Sequence, residues 1–344
     1  MGRERSLRMA ACVGLMGVVA AATGCASGSH DSAAADMSPS ARTYLSKALS
    51  IMEKHSLVRH EIDWADLRSR AFSQARGAQK TADTYGAIDS ALNALGDGHS
   101  AFWEPEQAKE RFGASPVNLD GLEGRSLKSG VGYISLPGVQ GSQDTYDQYV
   151  RQGRSAVAKA GANDACGWVV DLRSDTGGNM WPMLAVVGPI LGDGKVGAFV
   201  DADGSKSVWW IKHGSPYKDG KSAGWGDGRS LTTSNSPVAV LTGNRTASSG
   251  EAVVVAFRGR PDTRFFGEQT SGVPTGNMPY HLSDGAVLFL TEFKDVDRTG
   301  RAYDAPIPPD VEIIKDPRPV ARNRDEVLQA AEGWLLKRGG CRRP

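Results

Sequence analysis

An excess of either charge is the first thing this sequence lacks. Its 40 Lys and Arg stand against 39 Asp and Glu, a formal net charge of +1 over 344 residues. No basic stripe with interleaved aromatics is present either, which excludes nucleic acid as the partner class. Cysteine is scarce, four in the chain, and none lies near a histidine-rich cluster, which argues against a zinc site. No internal repeat and no heptad pattern occur, so solenoids and coiled coils are excluded. No Gly-Lys-Ser/Thr follows a glycine-rich turn, which excludes a phosphate loop. The sequence implies no metal and no cofactor.

What is present is an ordinary apolar content of 40% with 42 glycines. That composition fits one large or two modest globular domains of mixed α/β structure with many turns. Arg3, Arg5 and Arg8 precede an apolar run, Met9 to Gly24, too short for a comfortable membrane span. This reads as a secretory signal ending in Ala22-Thr23-Gly24-Cys25. That ending resembles a bacterial lipobox, in which Cys25 is lipidated after cleavage and supplies the only membrane attachment. Residues 26–38 are small and polar, a flexible tether. Cys166 and Cys341 remain in the mature body, where export permits a disulfide between them.

Three stripes between 39 and 95 predict a helical subdomain over residues 39–100: Tyr44, Leu45, Ala48, Leu49, Met52; then Ile62, Trp64, Leu67, Ala71; then Thr84, Tyr85, Ile88, Leu92, Leu95. Gly96-Asp97-Gly98 ends it. Residues 101–344 form the second expected body. Strands are predicted at 131–136, 168–172, 238–242, 263–267 and 286–292, and helices at 146–160, 180–191, 250–258 and 324–337. A hairpin is expected within 196–212 and a surface loop over 213–236. The alternation from 131 onward argues an α/β core.

Three constellations carry chemistry. The first is Thr246-Ala247-Ser248-Ser249-Gly250-Glu251, between an apolar strand and an Ala/Val-rich helix. A serine at such a turn has a raised hydroxyl beside the N–H groups of a helix start, as an acyl-transfer nucleophile requires. A simple helix cap is the structural alternative. The second is Gly96-Asp97-Gly98-His99-Ser100, whose imidazole is suited to proton transfer. A loop-bound histidine is its structural alternative. The third is Asp171 to Asn179, a buried strand ending in Gly177-Gly178, a turn whose N–H groups suit an oxyanion. Asp171 and Arg173 read as anchors of that turn.

Taken in order, these blocks resemble the C-terminal processing (tail-specific) serine peptidase family, in the branch of the tricorn core and the retinoid-binding proteins. The stretches that carry the likeness are LGDGHSAFWEP (95–105), GVGYISLPG (130–138), GWVVDLRSDTGGNMWPM (167–183), VAVLTGNRTASSGEAVVVAF (238–257), FGEQTSGVPTGN (266–277) and IPPDVEI (307–313). The resemblance implies a β/α spiral (ClpP/crotonase-like) core with an N-terminal helical bundle. It also implies a serine peptidase acting on peptides or proteins of the envelope.

Carried over residue by residue, the resemblance makes Ser248 the nucleophile. Ser249 supplies one oxyanion N–H, and Gly177 or Gly178 the second. The lysine base of the processing branch is absent, because Val273 follows Gly272 where a lysine is usual. The tricorn-like branch uses a histidine, for which His99 is the match. Ser100 stands for that branch's second serine and Asp304 for its orienting acid, with Glu292 and Asp297 as competitors. About 30 residues separate Ser100 from Val131, too few for a peptide-recognising PDZ domain. A non-catalytic binder of apolar ligands or peptides, using Trp103, Trp181, Trp209, Trp210 and Trp225, is the alternative on the same fold. A lipoprotein scaffold for a partner enzyme is a third reading.

Overall fold

The computed structural model describes residues 36–113, 119–162, 164–225, 236–314, 325–338 and 341. The signal segment, most of the tether and Cys25 lie outside the described residues. Three helices lead: α1 (Pro39–His55), α2 (Trp64–Gln74) and α3 (Tyr85–Asn93). Ser38 Oγ caps α1 by accepting from Ala41 N–H at 3.2 Å, and Asp63 does the same for α2 through Asp66 N–H at 3.0 Å. The stripes bury as their spacing predicts. They do not close on themselves, however: Leu45, Leu49, Met52, Ile88 and Leu92 share a core with Leu282, Leu288 and Leu290.

Next come β1 (Ala101–Trp103), α4 (Pro105–Phe112), β2 (Glu123–Ser126), β3 (Gly132–Ser135), α5 (Gln143–Ala160), β4 (Trp168–Asp171) and α6 (Met180–Leu191). A run of strands follows: β5 (Gly194–Val200), β6 (Lys206–Lys212), β7 (Ser215–Lys218), β8 (Lys221–Ser222) and β9 (Val238–Thr242). The remainder is α7 (Ser249–Phe257), β10 (Thr263–Gly267), β11 (Thr275–His281), β12 (Val287–Asp297), β13 (Ala302–Tyr303), β14 (Val311–Glu312) and α8 (Glu326–Leu335).

The strands make two open sheets. One runs β1-β12-β5-β6-β7-β8 and is antiparallel throughout, with β11 and β13 also paired to β12. The other runs β14-β10-β9-β4-β3-β2 and is parallel except for β2. This corrects the expectation of a β/α spiral, crotonase-like core. Most strand pairings are antiparallel, and the eight helices among the described residues are separate elements rather than the rungs of a solenoid. The cause is local. The chain turns back tightly after β5, β6, β7 and β11, and a tight return makes an antiparallel neighbour, whereas a spiral needs a long crossover after each strand.

The second sheet is buried on both faces, as a parallel sheet must be. Val170, Val238 and Val240 pack on the side of α6 and α7, and Val169, Ala239 and Leu241 on the side of α8. The Cys166–Cys341 disulfide, with Cα atoms 4.9 Å apart, pins residue 341 to the entry of β4. The loops after β4 and β9 hold the Gly177-Gly178 and Ser248 turns. The surface loop expected over 213–236 contributes β7 and β8, while residues 226–235 lie outside the described set. Polar β2, with no apolar alternation, and β11, with glycine and proline, gave no strand signal.

Candidate active site

The turn after β9 is held from three sides. Thr246, wholly buried, donates its hydroxyl to Leu172 O at 2.9 Å, and its carbonyl accepts from Ser271 N–H at 2.9 Å. Ala247 N–H donates to Asp175 O at 2.9 Å. Ser248 then takes φ 53°, ψ −118°, a backbone conformation costly for a non-glycine residue, and α7 starts beyond it. Strain of this kind persists only where the surroundings enforce it. Ser249 Oγ donates to Gly178 O at 2.7 Å and ties the turn to the Gly-Gly segment.

That segment explains its two glycines. Gly177 has φ 99°, and a Cβ there would stand 2.9 Å from Ser248 Cβ and 3.4 Å from its Oγ. Gly178 has φ 121°, and a Cβ would meet Val139 O at 2.0 Å. The two amides differ in use. Gly177 is buried and donates its N–H to Asp175 Oδ1 at 3.0 Å. Gly178 is exposed, and its N–H meets no acceptor among the described residues; the Ser249 N–H is likewise unpartnered. Two unpaired donors thus flank Ser248, and Gly177 shapes the turn without lending its own. Asp175 itself is fully buried against Gly250, with Oδ2 unpartnered. Burial pushes its carboxyl up to about 8, against the opposing pull of the Gly177 N–H. Asp171 and Arg173 do anchor the turn: Arg173 bonds Asp171 and Asp325, the cap of α8, and Asp171 also accepts from Tyr133.

Glu251 joins this turn to the other sheet. It is wholly buried, and each carboxylate oxygen accepts two hydrogen bonds. Oε2 takes Ser248 N–H and Val273 N–H, both at 2.9 Å; Oε1 takes the Thr270 hydroxyl at 2.6 Å and Gly272 N–H at 2.9 Å. Two residues past Val273, Thr275 opens β11, and its Oγ1 lies 2.6 Å from His99 Nδ1. The His99 carbonyl accepts from Asn277 Nδ2 at 2.9 Å. His99 is therefore fixed to the strand that Glu251 positions. Burial holds its imidazole below the ordinary value, partly offset by Asp97.

Asp97 shapes the loop rather than the ring. Its carboxylate accepts from His99 N–H, Ser100 N–H and the Ser100 hydroxyl at 2.9, 2.7 and 2.6 Å. Ser100 Oγ also accepts from Thr291 N–H at 2.9 Å, so its hydroxyl secures the loop to β12. Asp304 is 70% exposed and pairs with Lys294 at 3.6 Å. Glu292 bonds Tyr280, and Asp297 closes its own turn through Thr299, Gly300 and Arg301. Thr275, not a carboxylate, meets the Nδ1 side. Asp295 is fully buried near Glu251 with neither oxygen hydrogen-bonded, and burial raises it well above the carboxylate range.

The tryptophans do not converge on one pocket. Trp209 is core against Phe199, Trp103 stacks on Phe289, and Trp225 donates to Asp147. Sequence reasoning missed Glu251, Asp175 and Thr275. For Glu251 a signal existed, since Ser248-x-x-Glu251 has the spacing of a capping box. Thr275 offered none.

A protein of Lactococcus lactis subsp. lactis described as a nisin-resistance protein is 27% identical over 276 residues, 80% of this chain and 84% of that one. A solved lipoprotein structure from Streptococcus agalactiae shares the fold with a TM-score of 0.70 at 24% identity, covering 87% of this chain and 97% of that one. A photosystem II D1 C-terminal processing protease does so with a TM-score of 0.61 at 16% identity, covering 87% and 98%. Residues 130–313, more than half of the sequence, match the model of peptidase family S41. With a serine at a strained strand-to-helix turn and a glycine turn against it, the chain belongs to peptidase family S41, and it is a hydrolase.

Proposed function

We propose that the chain is an exported serine peptidase that cleaves peptide bonds through Ser248 and His99. The observation that carries this is the pair of unpartnered donors, Ser249 N–H and Gly178 N–H, beside a serine held at positive φ. Ser248 Oγ attacks the peptide carbonyl carbon and passes its proton to His99 Nε2. Thr275 Oγ1 occupies the Nδ1 side, and with Nδ1–H donating to that hydroxyl the free lone pair stands on Nε2. The two N–H groups take the oxyanion, and His99 returns the proton to the leaving amine. Water, deprotonated by His99, then attacks the acyl carbon, and His99 returns that proton to Ser248 Oγ as the acid leaves. Gly177, Ser100 and Asp97 support this arrangement structurally. Asp304 has no part in it.

The signal-like segment 1–25 and tether 26–38 support a lipoprotein anchored at Cys25 in the envelope, facing exported substrates. The solved relative described as a lipoprotein agrees. Cys25→Ala should move the protein from the membrane fraction to the soluble one. Because one relative is described as a nisin-resistance protein, nisin is the first substrate to test, with cleavage read by mass spectrometry. The mechanism is tested with a fluorophosphonate probe: Ser248→Ala should abolish labelling. Labelling that persists in that variant refutes the assignment of the nucleophile.

A further inference from the structure

β11 runs from the base outward and leaves one backbone edge open. Leu282 N–H donates to Ala286 O at 2.9 Å, which makes 282 and 286 a hydrogen-bonded pair. Bonded pairs alternate along an antiparallel ladder, so Tyr280 and Met278 also bond β12, and Asn277, Pro279 and His281 turn their backbone groups outward. The far side of β12 agrees, for Thr291, opposite Asn277, directs its N–H to Ser100 and its carbonyl to Leu57 N–H. Nearer the site, Asp295 N–H donates to Pro274 O at 3.1 Å, which turns Thr275 outward as well. Its N–H is used on Val273 O at 2.8 Å, and its carbonyl remains. No described group bonds the carbonyls of 275, 277, 279 and 281 or the N–H groups of 277 and 281.

We infer that this edge is the substrate subsite: an extended peptide segment adds to β11 as a further strand, with Asn277 as its paired anchor. The inference rests on the peptidase reading and names how that site holds its substrate. Three features favour a peptide over another occupant. The edge starts at Thr275, whose hydroxyl holds His99, and α7, headed by Ser248, packs beside it. Its outward groups are main-chain donors and acceptors, which recognise any extended peptide irrespective of side chains. Pro279 interrupts the donor row, which blunts the edge against a long partner strand such as a second copy. Asn277, closest to the base, keeps both groups.

The test uses the full chain carrying Ser248→Ala, which binds without turnover, and a synthetic peptide mixture at saturating concentration. Amide hydrogen exchange is followed over β11. Asn277 and His281 should slow at least about tenfold on peptide addition, while Met278 and Tyr280, already bonded to β12, should not change. In the wild type, N-methylation of a cleaved peptide should lower kcat/KM about three- to tenfold at alternate residues and leave those between unaffected. Absence of both effects overturns the subsite. Slowing at 277 and 281 that follows protein concentration without peptide also overturns it, in favour of pairing between copies. Neither failure touches Ser248 labelling by the fluorophosphonate, whose own loss in the wild type would instead refute the peptidase reading.

Discussion

The proposed nucleophile and its proposed base belong to different kinds of structure. Ser248 stands at the end of a buried strand of the mostly parallel sheet, with neighbours at 172, 175, 178, 251 and 271 bonding its turn. His99 stands on a loop over the antiparallel sheet, held by Asp97, Thr275 and Asn277. The first is over-determined and tolerates strain. The second depends on a few side-chain bonds and can be adjusted singly. Glu251 is where they meet, since one carboxylate bonds both the Ser248 amide and the segment leading to Thr275.

The largest effect should come from breaking that junction. Glu251→Gln cannot accept four donors, and a buried unpaired N–H costs about 1–3 kcal/mol. The variant should lose about 3 kcal/mol in denaturant unfolding and at least about a hundredfold in kcat. Gly177→Ala acts on the nucleophile side alone. Its Cβ would press on Ser248 at 2.9 Å, so kcat should fall about a hundredfold with a stability loss of about 2 kcal/mol. Thr275→Val acts on the base side alone. It should lower kcat about tenfold and stability by about 1 kcal/mol, and shift the acid limb of the pH–rate profile.

The two regions also respond to pH with opposite sign. Asp175 is raised when folded, so its contribution is full below the unfolded value and fades as pH rises through about 8. His99 is lowered when folded, so its contribution is present above pH 6.5 and is lost as pH falls through the folded value. Unfolding measured from pH 4 to 9 should show the alkaline decline diminished in Asp175→Asn. The smallest effect belongs to Asp304→Asn, an exposed pair whose loss should stay within about 1 kcal/mol and twofold in kcat.

Much of the turn around Ser248 was legible in the sequence, because local features specify it. A continuous apolar strand, a Ser/Gly turn and an Ala/Val helix name the elbow, and Gly177-Gly178 marks a backbone that needs positive φ. The base side was legible only as His99 itself. Its partner Thr275 lies 176 positions away on a strand whose glycine and proline conceal it, and no local pattern encodes that meeting. The pairing of exposed Asp304 with Lys294 was illegible for the same reason, since the order of residues along the chain does not say which side chains of β12 and the segment after β13 meet. The spiral core failed because strand and helix order was readable, while of the tight returns that make the first sheet antiparallel only the hairpin within 196–212 was.

The central claim is that Ser248 is activated by His99. It is tested most directly by the second-order rate constant for fluorophosphonate labelling of Ser248, compared between wild type and a folded His99→Ala variant at pH 7.5. The account predicts a fall of at least about a thousandfold. Labelling of Ser248 at an unchanged rate would contradict it.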